Sequence, residues 1–493
     1  MAIFAFVTVI SCDDNENMMP EEPVTTTLPN AMVYGLTENN QLVYFNTNNS
    51  STFTSTKPIM GIPSGEKLLS IDFRPATGEL YAVSNASKFY IINTSTASTR
   101  SVSTTSFSPV ISGTVASIDF NPTVDRIRLV TNTGQNLRLH PETGAIAAVD
   151  MNIATASSIM GIAYTNSFSG AASTILYDLD ATAGKLFKQD PPNNGTLVEV
   201  GSLGITFTGQ AAFDINPDNT LAIMAATTGT QNTLYTVNLS NGKATNIGNL
   251  SQKIIDLAIP TNPVAYAVDN SNSLQIFNPN NPQPIAKSIT GLQSGENILG
   301  IDFRPLNGQL YALGSSSRIY TINLGNGAAT TVGAQLPTLL AGTEFGFDFN
   351  PTVDKIRMVS NTGQNLRLDP VTGGITATDG TINPGTPTLS AAAYTNNFAG
   401  ATSTSLFVID HSTDKLYLQN PPNNGTLVER GSLGINIEGA NGFDIGSTSD
   451  KAYLIATVAG ATKIYTVNTT NGSATSLANY PNSVRGFTIG LGF

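Results

Sequence analysis

The stretch Asn121–Leu139 reads NPTVDRIRLVTNTGQNLRL, and Asn350–Leu368 reads NPTVDKIRMVSNTGQNLRL. Three of the nineteen positions differ between the two stretches, and each change keeps the size and polarity of the side chain. The same offset of 229 or 230 residues carries the sequence IDFRP at Ile71–Pro75 onto Ile301–Pro305. Self-similarity at a fixed spacing is the signature of a repeat architecture. The sequence therefore predicts two homologous halves.

A shorter repeat divides each half into five units. An aspartate between two apolar residues recurs roughly every 40 to 50 residues, a spacing typical of a four-stranded propeller blade. In the first half it occurs at Ile71–Phe73, Ile118–Phe120, Phe213–Ile215 and Ile255–Leu257, and Gly161–Thr165 fills the missing step. Short runs rich in Ile, Val, Phe, Tyr and Thr alternate with turn residues, and no helical period of useful length is present. We therefore expect an all-β fold of tandem β-propellers.

The first and last segments indicate how the sheets close. The first unit, Met32–Thr47, lacks the leading apolar-Asp-apolar strand, whereas Val484–Leu491 aligns with Ile254–Thr261 and has no unit after it. Propeller sheets avoid raw edges when a late strand completes an early blade. In one closure, residues 253–260 complete the first blade and residues 484–491 complete the blade that begins near Val264, which gives two five-bladed propellers. In the other, residues 484–491 close a single ten-bladed ring.

Several long phrases carry a family resemblance. The sequences IDFRPATGELYAV, FNPTVDRIRLVTNTGQNLRL and QDPPNNGTLVEVGSLG resemble the bacterial family known as domain of unknown function 4394. The resemblance covers each half nearly end to end, from about residue 31 to 260 and from about 264 to 493. Units of this size commonly stand alone in that family, which favours two five-bladed propellers, at residues 31–260 and 261–493, over a ten-bladed ring. The family implies no activity.

The N-terminal 30 residues are expected to lie outside the propellers. Ala2–Ile10 is a short apolar run, and Val9–Cys12 resembles a bacterial lipobox, in which the cysteine is lipidated. No Lys or Arg precedes the run, which departs from the usual signal peptide. The acidic cluster Asp13–Glu16 resembles surface-export signals of Bacteroidetes-type lipoproteins, and Met18–Pro29 has the composition of a tether. We expect an outer-membrane lipoprotein of the cell envelope, exposed at the surface and attached to the membrane only through its lipid.

Composition excludes several classes of function. The net charge is −11 and no basic stripe offsets it, which argues against a nucleic-acid partner. Cys12 is the single cysteine, so neither an intramolecular disulfide nor a cysteine-based metal site can form. His140 and His411 are the two histidines and occupy unrelated positions in the halves, which excludes a histidine-based metal site or catalytic triad in each half.

The recurring aspartates are the first candidate site. They are Asp72, Asp119, Asp214, Asp256, Asp302, Asp348 and Asp444. A ring of carboxylates around a channel could hold calcium. An aspartate that follows an apolar strand residue more commonly accepts backbone N–H groups and fixes the local structure. We favour the structural interpretation because the ring is broken at Ala163, Ala393 and Gly486, and we expect no metal and no cofactor.

The polar residues best shared between the halves are the second candidate. They are Asp125, Arg128, Asn132, Gln135, Asn136 and Arg138, with counterparts Asp354, Arg357, Asn361, Gln364, Asn365 and Arg367. Apart from the two aspartates, these side chains could bind a carboxylate or a sugar hydroxyl. Alternatively, Asp125 pairs with Arg128 between blades and Asn132–Gly134 forms a tight turn. The loop Pro191–Glu199, identical at Pro421–Glu429, could mark a partner surface or only a demanding backbone.

Two classes of function remain. The first is a non-catalytic binding module that presents its propeller faces to a protein or glycan partner. The second is a hydrolase or lyase that acts on polysaccharide, but a fold alone does not support an activity. The sequence has no Trp, a residue common in sugar-stacking platforms, and no residue stands out as catalytic. We therefore favour the binding module.

Overall fold

The computed structural model describes residues 28–154, 157–207 and 209–493. These residues form forty β-strands, arranged in ten four-stranded antiparallel sheets, and three short 3₁₀-helices at Thr47–Asn49, Pro192–Asn194 and Pro422–Asn424. The all-β fold that the sequence predicts is confirmed. In these ranges no helix has the length and apolar character needed to cross a membrane. The predicted signal segment, including Cys12, lies outside the described residues.

The strands of the first half run in chain order from β1 to β20. They are β1 Met32–Thr37, β2 Gln41–Asn46, β3 Ser55–Pro58, β4 Leu68–Phe73, β5 Leu80–Ser84, β6 Phe89–Ile92, β7 Thr99–Ser101, β8 Ala116–Asn121, β9 Arg126–Thr131, β10 Asn136–Leu139, β11 Ile146–Val149, β12 Ile159–Tyr164, β13 Leu176–Asp180, β14 Lys185–Gln189, β15 Leu197–Ser202, β16 Ala212–Ile215, β17 Ala222–Thr228, β18 Gln231–Val237, β19 Ala244–Asn249 and β20 Ile254–Ala258.

The strands of the second half repeat this pattern from β21 to β40. They are β21 Ala265–Asp269, β22 Ser273–Asn278, β23 Asn281–Ser288, β24 Ile298–Arg304, β25 Gln309–Gly314, β26 Arg318–Ile322, β27 Ala329–Val332, β28 Phe345–Asn350, β29 Lys355–Ser360, β30 Asn365–Leu368, β31 Ile375–Thr378, β32 Leu389–Tyr394, β33 Leu406–Asp410, β34 Lys415–Gln419, β35 Leu427–Ser432, β36 Asn441–Ile445, β37 Ala452–Val458, β38 Ala461–Val467, β39 Ala474–Asn479 and β40 Val484–Ile489.

Each half completes its first sheet with its own last strand. β20 pairs with β1, with Gly35 opposite Leu257, and β40 pairs with β21, with Ala267 opposite Phe487. The sheet orders are therefore β20-β1-β2-β3 and β40-β21-β22-β23, and each of the other eight sheets consists of four consecutive strands. These are the pairings required by the first of the two closures considered above.

The innermost strands of each half contact one another in a closed cycle. In the first half, β4 contacts β8, followed by β12, β16 and β20, and β20 returns to β4. In the second half, β24, β28, β32, β36 and β40 form the equivalent cycle. Each half thus surrounds an axis with five sheets.

Both faces of the inner strands of the sheets are buried, which explains the nearly continuous apolar runs in the sequence. On β9, Ile127 and Leu129 pack with Tyr81 of the preceding sheet, whereas Val130 packs with Ile162 of the following sheet. All five are almost completely buried. Burial of one such aliphatic side chain stabilises the fold by about 1.5–3 kcal/mol. The core therefore lies between neighbouring sheets and not within a single sandwich.

The two halves also share a packed boundary. Ala76 belongs to the same apolar cluster as Tyr266 of the second half, and the Tyr266 hydroxyl donates a 2.8 Å hydrogen bond to the Ala76 carbonyl. Arg74 donates from Nη1 to the Gly308 carbonyl at 3.1 Å, and the Gly492 N–H donates to the Thr77 carbonyl at 2.7 Å. The turn after β4 is therefore held by the second half.

Candidate functional site

The recurring aspartates surround the axis of each half and connect neighbouring sheets. Asp72 accepts a 2.8 Å hydrogen bond from the N–H of Phe120 on the next innermost strand, and Asp119 accepts one of 3.1 Å from Tyr164. Asp214 accepts a bond of 2.6 Å from Ile259 in the same way. These contacts are the kind that the structural interpretation of the aspartates requires.

Burial raises the pKa of these carboxyl groups. Oxygens of Asp72, Asp119 and Asp214 lie within 4.8 Å of one another, and all three side chains are buried. Loss of solvent raises the pKa of Asp214 to about 7 and that of Asp256 to about 8. The pKa values of Asp72 and Asp119 are also raised well above their ordinary value by burial and by the neighbouring carboxylates.

The second half contains the same arrangement with one hydroxyl added. Oxygens of Asp302, Asp348 and Asp444 lie within 4.8 Å of one another. The Thr488 hydroxyl lies 2.9 Å from an oxygen of Asp302 and 2.9 Å from an oxygen of Asp444. One hydroxyl has a single proton to donate, so a proton on one of the two carboxyl groups would let both contacts be hydrogen bonds. This geometry agrees with the pKa of Asp444, which burial raises to about 7.

The two axes differ at a correlated pair of positions. In the first half, Ser70 donates to Asp256 and accepts a 2.9 Å bond from the Ile118 N–H. Gly300 and Gly486 occupy the equivalent positions in the second half. Gly486 has φ of +91°, and a Cβ there would lie 2.8 Å from the Gly300 Cα. The second axis is therefore closed by backbone contact where the first uses a serine–aspartate pair.

The polar residues shared between the two halves are hydrogen-bonded within the protein. Arg128 is buried and donates to Asn136 Oδ1 at 2.7 Å, Asp150 Oδ2 at 2.6 Å and Asn193 Oδ1 at 2.7 Å. Arg138 forms a bidentate pair with the same Asp150, at 2.8 and 2.9 Å. In the second half, the same contacts join Arg357 and Arg367 to Asn365, Asp379 and Asn423.

This network holds the shared PPNNG loop. Asn136 Nδ2 donates to the Pro192 carbonyl at 2.9 Å, and Arg128 reaches Asn193, so the loop is bound by two predicted site residues. Gly195 ends the 3₁₀-helix with φ of +62°, and a Cβ there would lie 2.6 Å from the Asn152 carbonyl oxygen. The left-handed backbone at Gly195 and the hydrogen bonds from Arg128 and Asn136 thus account for the identity of the loop in both halves.

The remaining members of the set support nearby loops. Asn132 Oδ1 accepts from the Thr114 N–H at 3.1 Å, and Gln135 accepts from the Ser112 N–H at 2.9 Å. In the second half, Asn361 and Gln364 make the matching bonds to Thr343 and Ala341, at 3.0 and 2.9 Å. The donors and acceptors of these side chains therefore face the protein.

The pairing suggested for Asp125 and Arg128 does not occur. Asp125 accepts from Arg74 Nε at 2.9 Å, and Asp354 accepts from Arg304 Nε at 2.8 Å. Arg128 pairs with Asp150 instead. The partner is an arginine of the preceding sheet, because Asp125 lies in the turn before β9, next to the end of β4.

A different group of polar residues converges at one end of the second axis. A narrow cavity of about 10 Å³, close to the size of one water molecule, is lined by residues near the start of all five innermost strands, and Ser390 and Asn441 are its polar lining residues. Glu344 precedes β28, Arg485 lies near the start of β40, and His411 follows β33 beside the start of β32. We define Glu344, Ser390, His411, Asn441 and Arg485 as the second mouth.

Hydrogen-bonding capacity remains open at the second mouth. Asn441 Nδ2 donates to Ser390 Oγ at 2.8 Å and to the Gly439 carbonyl at 2.9 Å, which fixes the amide orientation and leaves Oδ1 outward of these bonds. Among the described residues, Asn441 Oδ1, His411 Nδ1 and Arg485 Nε have no hydrogen-bond partner, although all three atoms are buried. Buried polar atoms are normally paired with protein or water, so these three atoms are available to a hydrogen-bonding partner.

The charges at the second mouth influence one another without forming an ion pair in the described chain. Burial raises the pKa of Glu344, and the positive charges of His411 and Arg485 act in the opposite direction. Burial lowers the pKa of Arg485, whereas Asp269 and Glu344 raise it. The Glu344 carboxylate packs against Gly439, where a Cβ would lie 3.2 Å from its carbon. The second mouth thus places a carboxylate, an imidazole, a guanidinium and an amide around one opening.

Comparison with known families agrees with the repeat. The domain of unknown function DUF4394 matches residues 41–258 and again residues 273–488. The chain belongs to the DUF4394 family. A repeat of unknown function, DUF6923, matches residues 188–343, which cross from the first DUF4394 copy into the second. A search of curated proteins gives no match.

The two DUF4394 copies differ in polarity at the five positions of the second mouth. At the offset of 229 or 230, the first copy has an apolar residue at each of the five positions. The pairs are Val115 and Glu344, Met160 and Ser390, Ala181 and His411, Ala211 and Asn441, and Ile255 and Arg485. The sequence analysis concentrated on identities between the copies and missed this set. The signal was present in the differences, as polar residues that replace apolar ones at fixed offset.

Proposed function

We propose that this DUF4394 protein is a non-catalytic binding module built from two five-bladed β-propellers, at residues 31–260 and 261–493. Support for the blade number comes from the two cycles of five innermost strands and from the pairing of β20 with β1 and β40 with β21. The match of DUF4394 to each half separately supports the same division. The second propeller holds a polar group of a glycan or protein partner at the second mouth.

The unpartnered polar atoms of the second mouth carry this proposal. Asn441 Oδ1 offers an acceptor to a hydroxyl or amino hydrogen of a partner, and Arg485 Nε offers a donor to an oxygen. His411 Nδ1 is the third unpartnered atom, and the half-buried Glu344 adds a carboxylate beside them. Each good hydrogen bond to a charged group contributes about 1.5–3 kcal/mol, so a few such contacts suffice for specific binding. The first half has apolar residues at the five equivalent positions, so it serves as an internal control.

The proposed setting is the bacterial cell envelope. The lipobox-like Val9–Cys12 and the Pro- and Thr-rich residues 18–29 support a surface lipoprotein whose propellers are tethered to the outer membrane. A glycan or protein of the envelope or of the surroundings would then be within reach of the second mouth.

A second candidate function is a polysaccharide lyase. The observation that favours it is the presence of His411, Arg485 and a carboxyl group of raised pKa, Glu344, at one opening. A guanidinium can neutralise the carboxylate of a uronic acid, and an imidazole or carboxylate can remove the adjacent proton. Hydrolysis fits less well, because it needs two carboxyl groups in different environments on either side of the bond.

The test converts the second mouth into the first. A variant carrying Glu344→Val, Asn441→Ala and Arg485→Ile has at each site the residue that the other half already tolerates. Binding is measured against a panel of neutral and uronic-acid polysaccharides and against soluble envelope proteins. We expect the variant to lose about 10- to 100-fold in affinity for whatever the parent binds.

The control variant removes Lys415 and Glu429, an exposed ion pair that lies on β34 and β35 and has a copy in the first half. It should bind as the parent does. Equal binding by the parent and the mouth variant would exclude the second mouth as the site. Release of unsaturated products from a uronic-acid polysaccharide by the parent, lost in His411→Ala, would establish the lyase instead.

A further inference from the structure

A second opening lies between the two halves, away from the innermost strands that line the second mouth. It is a cleft of about 260 Å³ lined on one side by residues 78–80 and by parts of residues 91–100 of the first half. The other side is formed by Pro305, the loop 398–400, residues 447–448 and the tail residues Leu491 and Gly492. We call it the inter-half cleft. Boundaries between domains are favoured places for small-molecule sites.

The inter-half cleft has an apolar floor and a hydroxyl-rich rim. Leu80, Ile92 and Leu491 are almost completely buried and form the floor. The Phe398 side chain is 38 % exposed, so much of its ring is available at the edge. Thr96 and Thr448 are exposed at the rim. The Thr96 hydroxyl lies 2.7 Å from the Ser98 hydroxyl and the Thr448 hydroxyl donates to the Gly492 carbonyl at 3.2 Å, which leaves oxygen lone pairs that can accept hydrogen bonds.

One ion pair, Glu79 with Arg100, lines the inter-half cleft. Arg100 donates from Nη2 to Glu79 at 2.6 Å and from Nη1 to the Leu306 carbonyl of the second half at 2.7 Å. Glu79 also accepts a 3.0 Å bond from the Thr77 hydroxyl. Because Arg100 and Glu79 pair with each other and are fixed by these further hydrogen bonds, they give the cleft a polar edge without an unpaired charge.

The same loop has different surroundings in the two copies. In the first half, Ser169 lies 2.7 Å from the Tyr266 hydroxyl, and a Cβ at Gly170 would lie 3.4 Å from Ile285, so the loop after β12 packs on the second half. Its counterpart, Phe398–Gly400, borders the inter-half cleft instead. The cleft is therefore a product of the tandem arrangement.

We propose that the inter-half cleft binds a single pyranose ring. A pyranose has an apolar face of C–H groups, which suits the Phe398 ring and the aliphatic floor, and a polar edge, which suits the hydroxyl groups of the rim and the Glu79–Arg100 pair. The volume lies just below the range of sites for drug-sized ligands, which fits one sugar ring and excludes a long oligosaccharide. The site is independent of the second mouth.

The experiment uses the complete chain and free monosaccharides as probes. Saturation-transfer NMR and calorimetry with D-glucose, D-galactose and N-acetyl-D-glucosamine should show binding of at least one of them to the parent. Phe398→Ala should weaken that binding about tenfold, the equivalent of 1.4 kcal/mol. Thr448→Val provides a second variant at the rim with little change in shape, and it should weaken binding in the same direction.

Two controls separate this site from the rest of the molecule. Phe168→Ala changes the equivalent phenylalanine of the first half, which is 36 % exposed and does not line the cleft, and should bind as the parent does. The variant that removes the exposed Lys415–Glu429 pair should also keep the monosaccharide affinity. Loss of sugar binding in Glu344→Val but not in Phe398→Ala would assign the sugar to the second mouth and overturn this proposal. The proposal is overturned if none of the three sugars binds, or if Phe398→Ala and Thr448→Val both bind like the parent.

Discussion

Asp178 provides a quantitative test of how burial governs the stability of the first half. It lies on β13, is completely buried, and neither carboxyl oxygen has a hydrogen-bond partner among the described residues. Burial raises its pKa from 3.8 to about 8, with the Arg128 charge acting in the opposite direction. The equivalent residue of the second half is Val408. We expect Asp178→Val to stabilise the protein at neutral pH.

The sign and size follow from proton linkage. A carboxyl group whose pKa is higher in the folded state keeps its proton on folding, so its presence costs stability once the unfolded chain ionises above pH 3.8. Between pH 5 and pH 7, the folded protein holds about one more proton than the unfolded chain at this site. At 1.36 kcal/mol per pH unit, the free energy of unfolding falls by about 2.5 kcal/mol from this group alone. In Asp178→Val, the free energy of unfolding should fall by about 2.5 kcal/mol less than in the parent between pH 5 and pH 7.

Urea titrations of the parent and of Asp178→Val at pH 5 and pH 7, followed by circular dichroism, measure the effect. The other buried aspartates titrate in both proteins, so the difference between the two pH dependences isolates Asp178. The reciprocal change, Val408→Asp, should add a similar pH dependence to the second half and destabilise it. An unchanged pH dependence in Asp178→Val, or a loss of stability at pH 7, would refute a protonated Asp178 and favour an ionised pair with Arg128.

Three further predictions address the loop clamp, the closing strand and the N-terminus. Arg357→Ala leaves Asp379 buried with only the half-exposed Arg367 and should cost about 3–5 kcal/mol by urea denaturation, whereas Arg367→Ala should cost clearly less; equal costs would contradict the clamp. Deletion of Val484–Phe493 removes the buried Phe487 and Ile489 and should lower the free energy of unfolding by about 4–8 kcal/mol. Limited proteolysis should then digest the second half and spare residues 31–260. Digestion that begins in the N-terminal half would indicate a single ring. Cys12→Ser should leave the membrane fraction, and equal membrane association of variant and parent would exclude lipidation.

The sequence predicted the fold well because the repeat encodes it directly. The alternation of short apolar runs with turns gave the all-β class, and the alignment of residues 484–491 with 254–261 indicated which strands close the sheets. The closure itself was left between two alternatives, since both satisfy the same strand count. The pairing of β20 with β1 and of β40 with β21, and the contacts of β20 with β4 and of β40 with β24, favour the first alternative; they are long-range contacts that local sequence does not specify.

The functional residues were harder to predict, for a physical reason. Identity between the two copies selects what every copy needs, and each propeller-like half needs the same interior contacts. Arg128 and Arg357 are shared because each holds a PPNNG loop, and the aspartates recur because each connects neighbouring strands. Positions that serve a partner are needed only where the partner binds. In a duplicated chain they therefore appear as differences.

This argument gives the second mouth its weight. Ser70 and Asp256 are polar in the first half, where the second half has Gly300 and Gly486, whereas the five positions of the second mouth are polar only in the second half. Several of these atoms are buried without a partner, a state that costs stability unless something else satisfies them. The first half shows that the same backbone accepts Val115, Ala211 and Ile255 at no such cost. The ligand proposed for the second mouth would satisfy the unpartnered atoms of Asn441 and Arg485.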